Sequence, residues 1–97
     1  MALTAKQRKH LKALAHARKA VVQVGNAGVT DAVLKETGRA LERHELLKVR
    51  LPAVERAARA EMTRKLCEGT EAETVQEIGR VAVLYRPTQK PRLVLPD

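Results

Sequence analysis

The stretch Val21-Val22-Gln23-Val24 runs directly into Gly25-Asn26-Ala27-Gly28 and then into Val29 and Thr30. A short β-branched run bounded by glycine reads as a buried strand. Thr30 is a helix N-cap, with Val29 and Leu34 placed as a hydrophobic staple around it. The chain therefore passes from strand to helix through a G-x-x-G turn. A strand, a helix and a further strand in sequence make a crossover unit, which commits a chain of 97 residues to an α/β arrangement around one core.

The flanking segments extend this unit. Thr4 and Gln7 have capping-box spacing, and Leu11 and Leu14 follow, which predicts a first helix over residues 5–15. Val33, Leu34, Thr37 and Leu41 continue at helical spacing to about His44. In residues 46–51, Leu47, Val49 and Leu51 alternate with Lys48 and Arg50, as in a strand with one buried face, and Pro52 ends it. Val54, Ala58, Met62 and Leu66 predict a third helix to about Glu68, with Gly69 as a left-handed stop. Residues 73–78 and 81–86 are β-rich and joined by Gly79-Arg80, which reads as a hairpin. Pro87, Pro91 and Pro96 imply an extended tail over residues 88–97. The expected architecture is an α/β (α+β) two-layer sandwich, in the order α-β-α-β-α-β-β, with a four-stranded mixed sheet. Both long crossovers predict parallel pairings and the hairpin an antiparallel one. No repeat or linker divides the chain, so residues 1–97 form a single domain.

Charge points to the partner. The chain carries 19 Lys and Arg against 11 Asp and Glu, a net charge of +8. Lys6, Arg8, Lys9, Lys12, Arg18 and Lys19 all precede the first carboxylate, Asp31. A basic surface centred on the N-terminal third suits a polyanion, most often nucleic acid. The glycines have two readings: they negotiate a tight turn, or they let a ligand backbone approach the amides at a helix N-terminus, which favour phosphate. The acid-free segment ahead of the loop favours the second. Neither P-loop nor dinucleotide-fold spacing is present. Tyr85 is the only aromatic residue, so base stacking has little to work with, and Tyr85 suits core packing with its hydroxyl at the rim.

Catalytic equipment is thin. His10 and His16 point to different helix faces, His44 ends another helix, and no His, Cys and carboxylate set has metal-ligand spacing. The lone Cys67 excludes an internal disulfide and reads as a small helix residue. Residues 1–10 lack the apolar core of a signal peptide, and no run reaches a membrane-span length. The expectations are a cytoplasmic, monomeric protein that is not an enzyme, with no cofactor, metal, membrane or small-molecule substrate.

Residues 3–30, LTAKQRKHLKALAHARKAVVQVGNAGVT, followed by HELLKVRL and IGRVAVLYRP, closely resemble the CRM domain (chloroplast RNA splicing and ribosome maturation), in its free-standing bacterial YhbY-type form. The resemblance spans essentially the whole chain. It implies an RNA-binding domain similar to the C-terminal domain of translation initiation factor three, acting on ribosomal RNA in large-subunit precursors and assisting assembly. Carried onto this sequence, the RNA-binding residues are Lys6, Arg8, Lys9, Lys12, Arg18, Lys19, Gly25, Asn26, Ala27, Gly28 and Thr30. Members of the family usually carry Lys where this chain has Asn26, an aromatic near His10 and an Arg near His44. A general, nucleoid-type nucleic-acid binder is the alternative, since charge alone suffices for it.

Overall fold

The computed structural model describes residues 2–97. Its elements are α1 (Ala5–His16), β1 (Ala20–Gln23), α2 (Asp31–His44), β2 (Leu46–Arg50), α3 (Arg56–Thr70), β3 (Glu73–Ile78) and β4 (Val81–Tyr85). The order is the expected one. The capping box forms: Thr4 Oγ1 accepts from the Gln7 amide at 3.1 Å, and Gln7 Oε1 accepts from the Thr4 amide at 3.0 Å. Thr30 caps α2 by accepting from the Val33 amide at 3.2 Å.

The sheet is mixed, in the order β1-β2-β4-β3. β1 pairs parallel with β2, while β4 lies antiparallel between β2 and β3. Only the first crossover therefore yields a parallel pair. β3 still runs in the same direction as β2, but the hairpin places β4 in the gap, so the second crossover spans a strand instead of joining neighbours.

The two faces of the sheet carry separate clusters. Val22, Val24, Leu47, Val49, Ala82 and Leu84 pack against Leu41 of α2 and Leu66 of α3, with both staple residues, Val29 and Leu34, against the same cluster. Period-2 alternation turns Leu46, Val83 and Tyr85 the other way, where they meet Leu11 and Ala15 of α1 together with Leu93 and Leu95 of the C-terminal segment. The sandwich of sheet with α2 and α3 is thus covered behind by the preceding helix and the tail. Leu46, on the same face of its strand as Lys48 and Arg50, is fully buried for this reason.

α3 runs through Gly69 and ends at Thr70, with Glu71 in the left-handed conformation at φ 59°. Gly69 serves packing instead of termination: a Cβ there would stand 2.7 Å from Leu34 Cδ2. Small size lets α2 and α3 approach. Cys67 is half-buried beside Thr74 Oγ1 at 3.1 Å. Burial first, and then the Glu77 and Glu73 carboxylates, push its thiol pKa up against the opposing Thr74 bond, which keeps it a thiol.

A single residue, Glu45, joins α2 to β2. It has φ 62°, its amide donates to Leu41 O at 2.9 Å, and its carbonyl accepts from Arg86 N at 2.9 Å. Its side chain is fully buried, and the carboxylate accepts from the Thr88 amide (2.9 Å), Thr88 Oγ1 (2.7 Å), the Arg92 amide (2.9 Å) and the Leu93 amide (3.0 Å). The tail over residues 88–97 has no helix or strand, yet it is tied to the domain by this carboxylate. Gln7 Nε2 adds a bond to Pro96 O at 3.1 Å.

Candidate nucleic-acid interface

β1 is a sheet edge, paired only with β2. Val21 on it is 48% exposed and sits where three depressions meet. The largest, about 570 Å³, is lined by Arg18, Lys19, Gln23, Lys48, Arg50 and Val81, with Glu36 as its carboxylate. Leu46, Lys48 and Arg50 share one face of β2; α1 covers Leu46, while Lys48 is half-buried and Arg50 exposed beside it. A second depression, at the N-terminal end of β1, collects Arg18, Lys19, Arg43, His44 and Arg92. The third adds Arg39 from α2. The edge strand is therefore wrapped by cations from four segments of the chain, a field that concentrates polyanions.

The sequence-predicted residues divide. Lys6, Lys9 and Lys12 are exposed on α1, on the side away from Leu11 and Ala15. Arg18 and Lys19 border the two larger depressions, and Arg18 Nη1 is anchored on Leu46 O at 2.7 Å. Arg8 is turned inward instead. Its guanidinium donates to Thr74 O and lies 3.7 Å from Glu73, so it ties α1 to β3 and leaves the outward stripe to the lysines. The basic surface is accordingly not confined to the N-terminal third. Lys48, Arg50, Arg39, Arg43 and Arg92 join it, and the alternation in β2 was the one signal that Lys48 and Arg50 share an open face. The first crossover predicts β1 beside them, but not that β1 is the sheet edge.

The glycine loop lies at the other end of β1, where the Val24 amide donates to Arg50 O at 2.8 Å. Gly28 N donates to Gly25 O at 3.0 Å, closing a tight turn across Asn26 and Ala27, both exposed. The two glycines differ. Gly28 has φ +79°, a conformation L side chains rarely adopt, whereas Gly25 has no such φ and a Cβ there would meet nothing within 4 Å. The fold itself requires Gly28; it gives no reason for Gly25. Thr30 Oγ1 is engaged as the cap, so its acceptor function is internal. The first-turn amides of α2 have no intrahelical acceptor, though Asp31 at that end places a carboxylate against the helix dipole. The groups this loop could offer an anion are therefore backbone amides.

Tyr85 is buried under α1 at 2% exposure, and burial together with the Glu45 charge pushes its pKa up. It is a core residue, unavailable to stack on a base. Among the described residues no group of three or more His, Cys, Asp or Glu side chains is placed to hold a metal ion. No described helix is long and apolar enough to cross a membrane.

A small α/β domain with a cationic sheet edge and a backbone-lined glycine loop is a module built to receive a polyanion. The chain belongs to the CRS1/YhbY (CRM) domain family, whose model matches residues 3–86. It is 39% identical over 94 residues to an RNA-binding protein of Haemophilus influenzae, covering 97% of this chain and 95% of that one. It is 43% identical over 91 residues to a Pseudomonas aeruginosa protein named "Probable RNA-binding protein PA4753", covering 94% of this chain and 88% of the other. The solution structure of a Staphylococcus aureus protein superimposes with a TM-score of 0.85 at 33% identity, covering 98% of this chain and all of that one.

Proposed function

We propose that the protein is a non-enzymatic RNA-binding protein that binds ribosomal RNA in precursors of the large ribosomal subunit and assists their assembly, acting as a cytoplasmic monomer. RNA binding is supported by the relatives named for it and by family membership. The observation that carries the reading is the cationic surface along β1, the strand that leads directly into the glycine loop. Phosphates lie along the cations, and at the loop an RNA backbone passes close to Gly25, held by amides of the turn and the start of α2. Recognition by shape and charge needs no exposed aromatic residue and no catalytic group. The large-subunit assignment rests on the family resemblance.

Sedimentation of cell lysate on a sucrose gradient, with immunodetection of the protein, tests this directly. Co-migration with large-subunit precursors, lost on ribonuclease treatment, is the expected result; a protein found only at the top of the gradient overturns the assembly role. A nucleoid-type role is supported by the net charge of +8 alone. Equal affinity for duplex DNA and structured ribosomal RNA would favour it.

A further inference from the structure

We propose that the C-terminal segment, residues 87–97, is part of the RNA-binding surface, and that Arg92 is a phosphate-contacting residue held in place by the buried carboxylate of Glu45. This inference rests on the RNA-binding reading and adds a site to it. The family match ends at residue 86, so Arg92 lies beyond the domain that defines the family.

Three observations place Arg92. First, its backbone is fixed: the amides of Arg92 and Leu93 donate to Glu45 Oε1 at 2.9 and 3.0 Å, while Thr88 holds Oε2 from its amide and its hydroxyl. Leu93 and Leu95 pack into the cluster beneath α1, so the segment is anchored on both sides of Pro91 and beyond it. Second, its side chain is fixed. Nη2 donates to Glu42 O at 3.1 Å and to Arg43 O, carbonyls of the last turn of α2. A guanidinium carries five N–H donors, and these carbonyls take those of Nη2, leaving a charged, oriented edge for a ligand. Third, it borders a depression of about 460 Å³ together with Arg18, Lys19, Arg43 and His44. Arg18 is anchored in the same manner, on Leu46 O. Two guanidiniums pinned by backbone carbonyls and lining one hollow are pre-organised for a phosphate, since little side-chain entropy is left to lose on binding.

Glu45 also borders this hollow, and its charge opposes an incoming anion. Its oxygens, however, are occupied by the four tail donors, so it holds the segment in place and leaves the outer side of the hollow to the cations. That carboxylate is the acceptor for the backbone amides of Thr88, Arg92 and Leu93, and so fixes this segment against the start of β2. The tail is thus a positioned part of the surface, although its sequence reads as an extended proline-punctuated end.

The test measures affinity of the full-length protein for in vitro transcribed large-subunit ribosomal RNA as a function of salt, for the wild type, Arg92→Gln and Arg92→Lys, with melting curves for each. Arg92→Gln is expected to weaken binding about three- to tenfold and to lower the magnitude of the log K against log salt slope by about 0.7, the loss of one phosphate contact. Arg92→Lys is expected to restore the slope, because it retains the charge. Wild-type affinity and slope in Arg92→Gln overturn the inference, as does a loss that Arg92→Lys fails to restore in slope. A wild-type protein that does not bind this RNA overturns the RNA-binding reading itself, a distinct outcome.

Discussion

Gly25 and Gly28 look interchangeable in sequence and are not. Gly28 holds φ +79° and closes the turn; Gly25 is exposed, free of positive φ, with open space where a Cβ would be. Gly28→Ala should therefore cost about 1 kcal/mol of stability through left-handed strain. Gly25→Ala should leave the melting temperature unchanged or slightly raised, since it removes freedom from the unfolded chain without a clash. The informative quantity is RNA affinity: Gly25→Ala is expected to weaken it although the fold is intact, because the added methyl group stands where a ribose-phosphate backbone would approach. Titration of both variants with ribosomal RNA beside thermal melts decides the matter. Wild-type affinity in Gly25→Ala would mean that the loop serves the turn alone.

Among the elements, α1 separates charge from fold most cleanly. Leu11 and Ala15 are buried against the sheet and Arg8 is bonded to β3, whereas Lys6, Lys9 and Lys12 face solvent. Gln has nearly the helix propensity of Lys, and exposed like charges on one helix contribute little to folding. The triple change of these lysines to Gln should keep the melting temperature within a few degrees of the wild type. If all three contact phosphate, the salt-dependence slope should drop by about 2. An unchanged slope would reduce the stripe to a solvated face. Arg8 belongs to the opposite category: its bond to Thr74 O and its pairing with Glu73 join α1 to β3, so its loss acts on packing.

Across the whole molecule, Glu45 links the α2–β2 joint to the C-terminal segment, and it makes that link sensitive to acid. Burial pushes its carboxyl pKa up, but the bonds from Thr88, Arg92 and Leu93 outweigh it and bring the pKa down from 4.5 to about 2. A carboxyl with a depressed folded-state pKa stabilises fully above its unfolded value and loses that contribution as pH falls through the folded one. The melting temperature should therefore decline between about pH 4.5 and 2 on account of this group and be indifferent to it from pH 5 to 8. Glu45→Gln should remove that part of the acid limb. It should also lower stability at neutral pH by about 2–4 kcal/mol, since charged acceptors of buried amides are replaced. Calorimetry of both proteins from pH 2 to 8 tests this; parallel acid limbs would show that the carboxylate is not what acid titrates.

Local chemistry made most of the elements legible. Capping residues, the hydrophobic staple and the period of the apolar positions are properties of a few neighbouring residues, so α1, β1, α2, β2 and the hairpin could be read, and with them the mixed sheet and the exposed α1 lysines. Gly25 and Gly28 were visible as a loop for the same reason. What the sequence could not settle was which segments become neighbours. Insertion of β4 between β2 and β3, the packing role of Gly69 against Leu34, the inward turn of Arg8 and the tail held by Glu45 all depend on contacts between residues far apart in the chain. So does the surface itself: Arg18, Lys48, Arg43 and Arg92 come together only because β1 pairs with β2 at the sheet edge and the tail returns to the end of α2. Charge is written along the chain, but where cations gather is decided by packing, because burial of the apolar faces determines which side of every element remains in water.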